Sequence, residues 1–106
     1  MTEDRIDQKQ VLFLGLIQSF ITSAWIQMGK QKNPLTGDTA VNLKEAQFII
    51  DMLEMIEEKT KGNLSEEEKQ ILAGGLSELK INFVDLKVKQ DKHPEKQEEP
   101  KPENTN

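Results

Sequence analysis

The sequence predicts an all-α protein with a three-helix domain over residues 1–90 and a disordered acidic tail over residues 91–106. Three observations support this fold class. Apolar residues recur every three or four positions in three separate stretches, which is the period of a helix. Capping residues precede these stretches. The tail holds three of the four prolines and no apolar residue, so it cannot offset the entropy lost on ordering.

Composition narrows the possible functions. The net charge is −5 and the pI is about 4.9, so nucleic acids and anionic membranes repel the chain, and we expect no nucleic-acid partner. Cysteine is absent, and the single histidine, His93, lies in the tail, which leaves few groups for acid–base catalysis. We therefore expect no catalytic residue, no metal site and no cofactor, and an enzymatic role remains only as an alternative.

Helix one is predicted from Gln8 to Met28. Asp7 is the expected N-cap, with Gln10 three residues later as its capping-box partner. Gly29 is the expected C-terminal stop. Apolar side chains cover nearly the whole circumference of this helix, so it is either the central helix of a monomer or a helix that meets a partner.

The same helix raises the question of a membrane. Its run from Val11 to Met28 is free of charge over 18 residues, close to the ~18–20 that span a bilayer. A strip of small and polar residues favours a buried helix of a soluble protein over a lipid-facing one: Gly15, Gln18, Ser19, Thr22 and Ser23. Acidic residues stand where a signal peptide is basic, so we expect no signal peptide, and membrane association of helix one remains as an alternative.

The connector between helices one and two, residues 30–42, is long for a helical domain. Pro34 and Gly37 indicate turns within it, and Leu35 and Val41 are expected to pin it to the core. The connector is either a spacer that lets helix one cross the other two or part of a functional site. An alternative function is therefore a small-ligand or enzymatic site at helix one and this connector.

Helix two is predicted over residues 43–61. Asn42 is the expected N-cap, with Glu45 as its capping-box partner. One apolar stripe faces the predicted core. A second stripe flanks it and adds apolar surface beyond what the core needs: Phe48, Met52 and Met55.

Helix three is predicted over residues 66–89, antiparallel to helix two. Gly62 is expected to turn the chain at positive φ, after which Ser65 caps helix three with Glu68 as its capping-box partner. A 4-3-4-3 repeat gives this helix a packing seam: Leu72, Leu76, Leu79, Phe83 and Leu86. A smaller second stripe also follows helical spacing: Ile81, Val84 and Val88.

Two adjacent glycines, Gly74 and Gly75, lie in the middle of helix three. Each costs about 1 kcal/mol relative to alanine at such a position. Either a neighbouring backbone approaches very closely at this point, or the helix bends or breaks.

Several motifs resemble one known family. The stretch from Ile50 to Leu53 and the stretch from Lys59 to Ser65, followed by a glutamate-rich helix start, are similar to the recurring pattern of small bacterial proteins called Domain of Unknown Function 1844. Lys80 departs from that pattern, in which arginine is more frequent, and the paired glycines replace bulkier residues. The resemblance covers residues 10–88 and implies a short, helical, cytoplasmic bacterial protein. It implies no activity, because the family is uncharacterised.

The leading functional hypothesis is a non-catalytic helical interaction module. Helices one and two carry more apolar surface than a lone chain of 106 residues is expected to bury, so we expect self-association, as a dimer, or binding of another protein. The residues expected at this interface are Phe13, Leu16, Phe20, Trp25, Phe48, Met52 and Met55.

Overall fold

The computed structural model describes residues 8–92, and these form three helices. The helices are α1 over Gln8–Gln27, α2 over Leu43–Lys59 and α3 over Glu66–Lys92. No strand occurs within the described range, where the sole extended pairing is an isolated antiparallel bridge between Met28 and Val41. The predicted all-α, three-helix fold is therefore confirmed. Asp7 and nearly all of the predicted tail lie outside the described residues, and α3 runs three residues further than expected.

The helices run up, down and up. α2 begins where α1 ends, because the Asn42 backbone N–H donates to the Gln27 carbonyl at 2.6 Å. α3 runs parallel to α1, since the Ser65 hydroxyl at its start donates to Oε1 of Gln10, near the start of α1, at 2.7 Å. Each helix packs on both of the others. The expected antiparallel pairing of α2 with α3 is present.

The core runs along the axis between the three helices and contains only aliphatic residues and one methionine. Its members are Ile17, Ile21, Ala24, Met28, Ala46, Ile49, Ile50, Leu53, Leu72, Leu76 and Leu79. Three of the five predicted seam residues of α3 are fully inside, whereas Phe83 and Leu86 are partly buried against this cluster. Each large side chain buried here contributes about 1.5–3 kcal/mol to the stability of the fold.

The start of α2 differs from a full capping box. Oδ1 of Asn42 accepts the Glu45 backbone N–H at 3.1 Å, so Asn42 caps the helix. The Asn42 N–H does not donate to the Glu45 carboxylate as it would in a capping box, because it donates to the Gln27 carbonyl of α1. The sequence motif predicted a local partner, and a contact between helices takes its place.

The turn between α2 and α3 follows the sequence closely. Gly62 has φ +82°, the left-handed conformation that favours glycine. Ser65 and Glu68 form a reciprocal capping box: the Glu68 N–H donates to Oγ of Ser65 at 3.1 Å, and the Ser65 N–H donates to Oε1 of Glu68 at 2.8 Å. α2 ends two residues before the predicted Lys61, because the backbone leaves the helical conformation at Thr60 (φ −103°, ψ 7°), whose hydroxyl donates to the Ile56 carbonyl at 2.7 Å.

α3 is continuous through its two central glycines, so the predicted alternative of a break is wrong. A Cβ added to Gly75 would lie 2.5 Å from Cδ1 and 3.3 Å from Cγ1 of Ile21 on α1. A Cβ on Gly74 would meet nothing within 4 Å. Gly75 therefore marks a close approach of α1 and α3, but the neighbour is the Ile21 side chain and not the backbone that the sequence predicted, and Gly74 has no such role.

The connector is held by local turns. Oδ1 of Asn33 accepts the Leu35 N–H at 2.8 Å, and the Asn33 carbonyl accepts the Gly37 N–H at 2.7 Å. Val41 is tied to the end of α1 through its bridge to Met28. Leu35 is 93% exposed, so the expectation that it pins the connector to the core is wrong. The local turns direct its side chain outward.

Candidate interaction surface

One side of α2 presents large apolar residues to solvent. Phe48 is 59% exposed and Met55 is 45% exposed, while Met52 between them is half-buried. Spacings of four and three residues place all three on one face of the helix. The opposite flank of α2 faces α3, as the ion pair between Glu54 on this flank and Lys80 of α3 shows. The apolar strip therefore lies on the side of α2 that is turned away from α3.

α1 carries a matching row at spacings of four residues. Leu12 is 70% exposed, Leu16 is 48% exposed, and Phe20 is partly buried against the core. The flank of α1 that contacts α3 is marked by Ile21, which meets Gly75. The row of leucines and Phe20 lies on the other flank, which is the flank beside α2.

The row of α1 and the strip of α2 adjoin each other along the antiparallel pair of helices. We call their combined area the α1/α2 surface, defined by six residues: Leu12, Leu16, Phe20, Phe48, Met52 and Met55. Five of these six are among the residues predicted from the sequence. The sequence did not predict Leu12. Because α1 is apolar on nearly every side, the spacing of its apolar residues does not show which leucines face solvent and which face the core.

Two predicted interface residues remain to be placed. Phe13 is partly buried against the core, as Phe20 is, and stands three residues before Leu16 on the same flank of α1. Trp25 is also partly buried against the core and stands four residues after Ile21, on the flank of α1 that faces α3. The structure therefore does not bring Trp25 together with the α1/α2 surface. Its indole fills space between helices within a single copy.

A second apolar stripe is exposed on α3. Ile81 is 66% exposed, Val84 is 58% exposed and Val88 is 48% exposed. Their spacing of three and four residues sets them on the side of α3 opposite to the packing seam. The spacing of this stripe is visible in the sequence. Its exposure is not, because it depends on which of the two apolar faces of α3 packs against α1 and α2.

Charged groups at the surface form ordinary exposed pairs. The pKa of Lys80 lies above the usual 10.5 of a lysine, first because of its hydrogen bond to the Glu54 carboxylate and then because of the negative charges of Glu54 and Glu57. Lys69 pairs with Glu66 at 3.7 Å within the first turns of α3. Each of these side chains is at least 42% exposed, so the pairs hold the surface together only weakly.

Two open grooves lie on the surface of residues 8–92, and neither is lined by a residue of α1. An open groove of about 340 Å³ lies between the start of α2 and the end of α3, with Val41 and Phe83 in its wall and Lys44 and Lys87 at its rim. A wider groove of about 780 Å³ lies beside the end of α2 and carries glutamates and lysines. Within residues 8–92, no three His, Asp or Glu side chains are grouped so as to hold a metal ion.

α1 is also long and apolar enough to cross a membrane by length and composition. Core helices of soluble proteins pass the same criterion. Ile17, Ile21 and Ala24 of α1 are buried against α2 and α3, so the helix uses one face for the core.

Comparison with known protein families assigns the chain to one of them. The sequence profile of the family described as Domain of unknown function (DUF1844) matches residues 10–85, well over half of the chain. The chain belongs to this family. The match covers nearly all of α1, the whole of α2 and most of α3, so the DUF1844 region is the three-helix fold itself. No curated protein and no solved structure matches the chain.

Proposed function

We propose that this DUF1844 domain is a non-catalytic interaction module of the cytoplasm that forms a dimer through its α1/α2 surface. The observation that carries the proposal is the exposure of large apolar side chains on adjoining faces of two helices. Leu12, Leu16, Phe48 and Met55 are each between 45% and 70% exposed. Apolar side chains scattered singly on a surface need no explanation, but a contiguous group of this kind is typical of an interface.

The energetic argument follows from area. Full burial of a leucine, phenylalanine or methionine contributes about 1.5–3 kcal/mol of free energy. When such a side chain is half exposed in one copy, about half of this free energy remains to be gained on association. A two-fold dimer buries each residue twice, once from each copy. Association thus gains several kcal/mol from side chains that are only partly buried in one copy.

Two observations weigh against the alternatives. A site on the connector is disfavoured because several of its polar groups are used in local turns, such as the Asp38 N–H bond to Oγ1 of Thr36 at 3.2 Å. Insertion of α1 into a membrane would remove Ile17 and Ile21 from the core of the domain. A dimer leaves this core intact and covers only the side of α1 that is already exposed.

The proposal is tested by the mass of the full chain in solution. We expect twice 12.1 kDa by light scattering after gel filtration at micromolar concentration. Phe48→Ser and Met55→Ser should each shift the mass toward 12.1 kDa, whereas Ile81→Ser, which removes a similar exposed side chain from α3, should leave the dimer unchanged. Thermal melts by circular dichroism verify that each variant folds. A wild-type mass of 12.1 kDa at every concentration contradicts the proposal.

A further inference from the structure

The apolar strip of α2 is continued at both ends by charges of opposite sign. Glu45 stands three residues before Phe48, and Lys59 stands four residues after Met55. The whole series therefore follows the 3-4-3-4 spacing of one helix face, with Met52 at its centre. Its 14-residue separation corresponds to about 21 Å along the helix axis, long enough for a helix–helix contact.

This series is complementary to itself when reversed. If two copies of α2 cross antiparallel about Met52, Glu45 of each copy faces Lys59 of the other, because both lie seven residues from the centre. Phe48 of each copy faces Met55 of the other, and Met52 faces its own counterpart. A parallel arrangement would instead set glutamate against glutamate and lysine against lysine, which is unfavourable.

The two end charges are available for such contacts. Glu45 and Lys59 are both exposed, and neither side chain forms an ion pair with another part of residues 8–92. By contrast, Glu54 on the other flank of α2 already pairs with Lys80. The two charges at the ends of the strip therefore have no ion-pair partner within the described part of one copy, whereas Glu54 has one.

We propose that two copies associate antiparallel along α2, with the two-fold axis beside Met52 and with reciprocal Glu45–Lys59 ion pairs at the ends of the contact. This inference rests on the proposed function and specifies the geometry of the dimer. Leu16 of α1 lies beside this axis. The Gln27–Asn42 hydrogen bond joins the end of α1 to the start of α2, and Leu16 lies eleven residues before it while Met52 lies ten residues after it. The two residues are therefore at nearly the same height in the antiparallel pair. The interface is isologous, and α1 of each copy lies beside it.

Charge reversal tests the ends of the contact. Glu45→Lys and Lys59→Glu each create two repulsive contacts by symmetry, so each should raise the dimer dissociation constant about tenfold. The double variant restores opposite charges at both ends and should return the constant to near the wild-type value. Glu58→Lys and Lys61→Glu make the same changes of charge outside the strip and should alter it less than about twofold. Both strip substitutions oppose the helix dipole of α2, so recovery in the double variant cannot come from a more stable helix.

A disulfide tests the centre. The chain contains no cysteine, so Met52→Cys introduces a single thiol per copy, next to the proposed axis. Mild oxidation should link two copies covalently, since a disulfide forms when two Cα atoms lie within about 4.4–6.8 Å. Glu58→Cys, on the polar side of the same helix, should stay unlinked under the same conditions.

The outcomes separate this geometry from the proposed function. Rescue in the charge-swapped variant together with selective linkage at Met52→Cys supports the antiparallel arrangement. A wild-type dimer that shows neither rescue nor linkage overturns the arrangement and leaves the proposed function standing. A wild-type chain that is monomeric throughout overturns both.

Discussion

Adding one methyl group at each of two neighbouring glycines is expected to have opposite effects on the stability of the fold. Gly74→Ala removes the cost of a glycine within α3, about 1 kcal/mol, and its Cβ meets nothing within 4 Å, so it should stabilise the protein by about that amount. Gly75→Ala brings the same gain but sets a Cβ 2.5 Å from Cδ1 of Ile21, a side chain that is only 6% exposed. Overpacking of this kind costs about 1–3 kcal/mol, so the net effect should be destabilising by up to about 2 kcal/mol.

Urea denaturation followed by circular dichroism, at one protein concentration for all variants, measures this difference. A double-mutant cycle with Ile21→Val identifies its cause, because valine lacks the Cδ1 atom that the new methyl group would meet. In the wild type, Ile21→Val should cost about 0.5–1.5 kcal/mol. In the Gly75→Ala background it should cost clearly less or even stabilise, giving a coupling of about 1 kcal/mol or more.

Equal stabilisation by both alanines would refute the reasoning. It would mean that α1 and α3 do not meet closely at Gly75, or that Ile21 adopts another rotamer at no cost. Destabilisation by both alanines, with no coupling to Ile21, would also contradict it, since the loss would then come from α3 alone.

Three further predictions follow from local features. Ser65→Ala should destabilise the protein by about 1 kcal/mol in urea denaturation, because it removes the hydroxyl that accepts the Glu68 N–H and donates to Gln10, and a loss no larger than that of an exposed Ser77→Ala would contradict this. The ion pair of Lys80 with Glu54 should contribute less than about 1 kcal/mol. Because that pair raises the pKa of Lys80 above 10.5, its contribution to stability is fully present below pH 10.5 and is lost as the pH rises through the raised value. The free energies of unfolding of Glu54→Gln and wild type should therefore converge at high pH. A difference that stays constant with pH would count against this prediction. Leu35→Ser, at a side chain that is 93% exposed, should change stability by less than about 0.5 kcal/mol, and a larger loss in the same denaturation assay would show that the connector packs inward.

The helices themselves were predictable because their signals are local. Spacing of apolar residues set the three elements to within three residues at each described end, and the Ser65–Glu68 capping box needed only four consecutive residues to be recognised. Contacts between helices had no such signal. The Gln10 bond to Ser65 joins positions 55 residues apart, and the Asn42 bond to Gln27 replaced the local partner that the motif favoured.

The candidate surface was predictable in part for the same reason. The stripe of Phe48 and Met55 stands out beside a clean polar face on α2, so its surplus was visible in the sequence. α1 is apolar on nearly every side, and spacing alone could not tell that Trp25 packs within one copy while Leu12 faces solvent. That distinction depends on where α2 and α3 sit around α1, which is a property of the assembled bundle.

Sedimentation equilibrium of the wild-type full chain over a dilution series tests most directly whether the α1/α2 surface is covered by a second copy. We predict a mass that falls from twice 12.1 kDa to 12.1 kDa on dilution, with Phe48→Ser reaching the lower mass at a higher concentration than the wild type. A mass of 12.1 kDa over the whole series, identical for wild type and variant, would contradict the account.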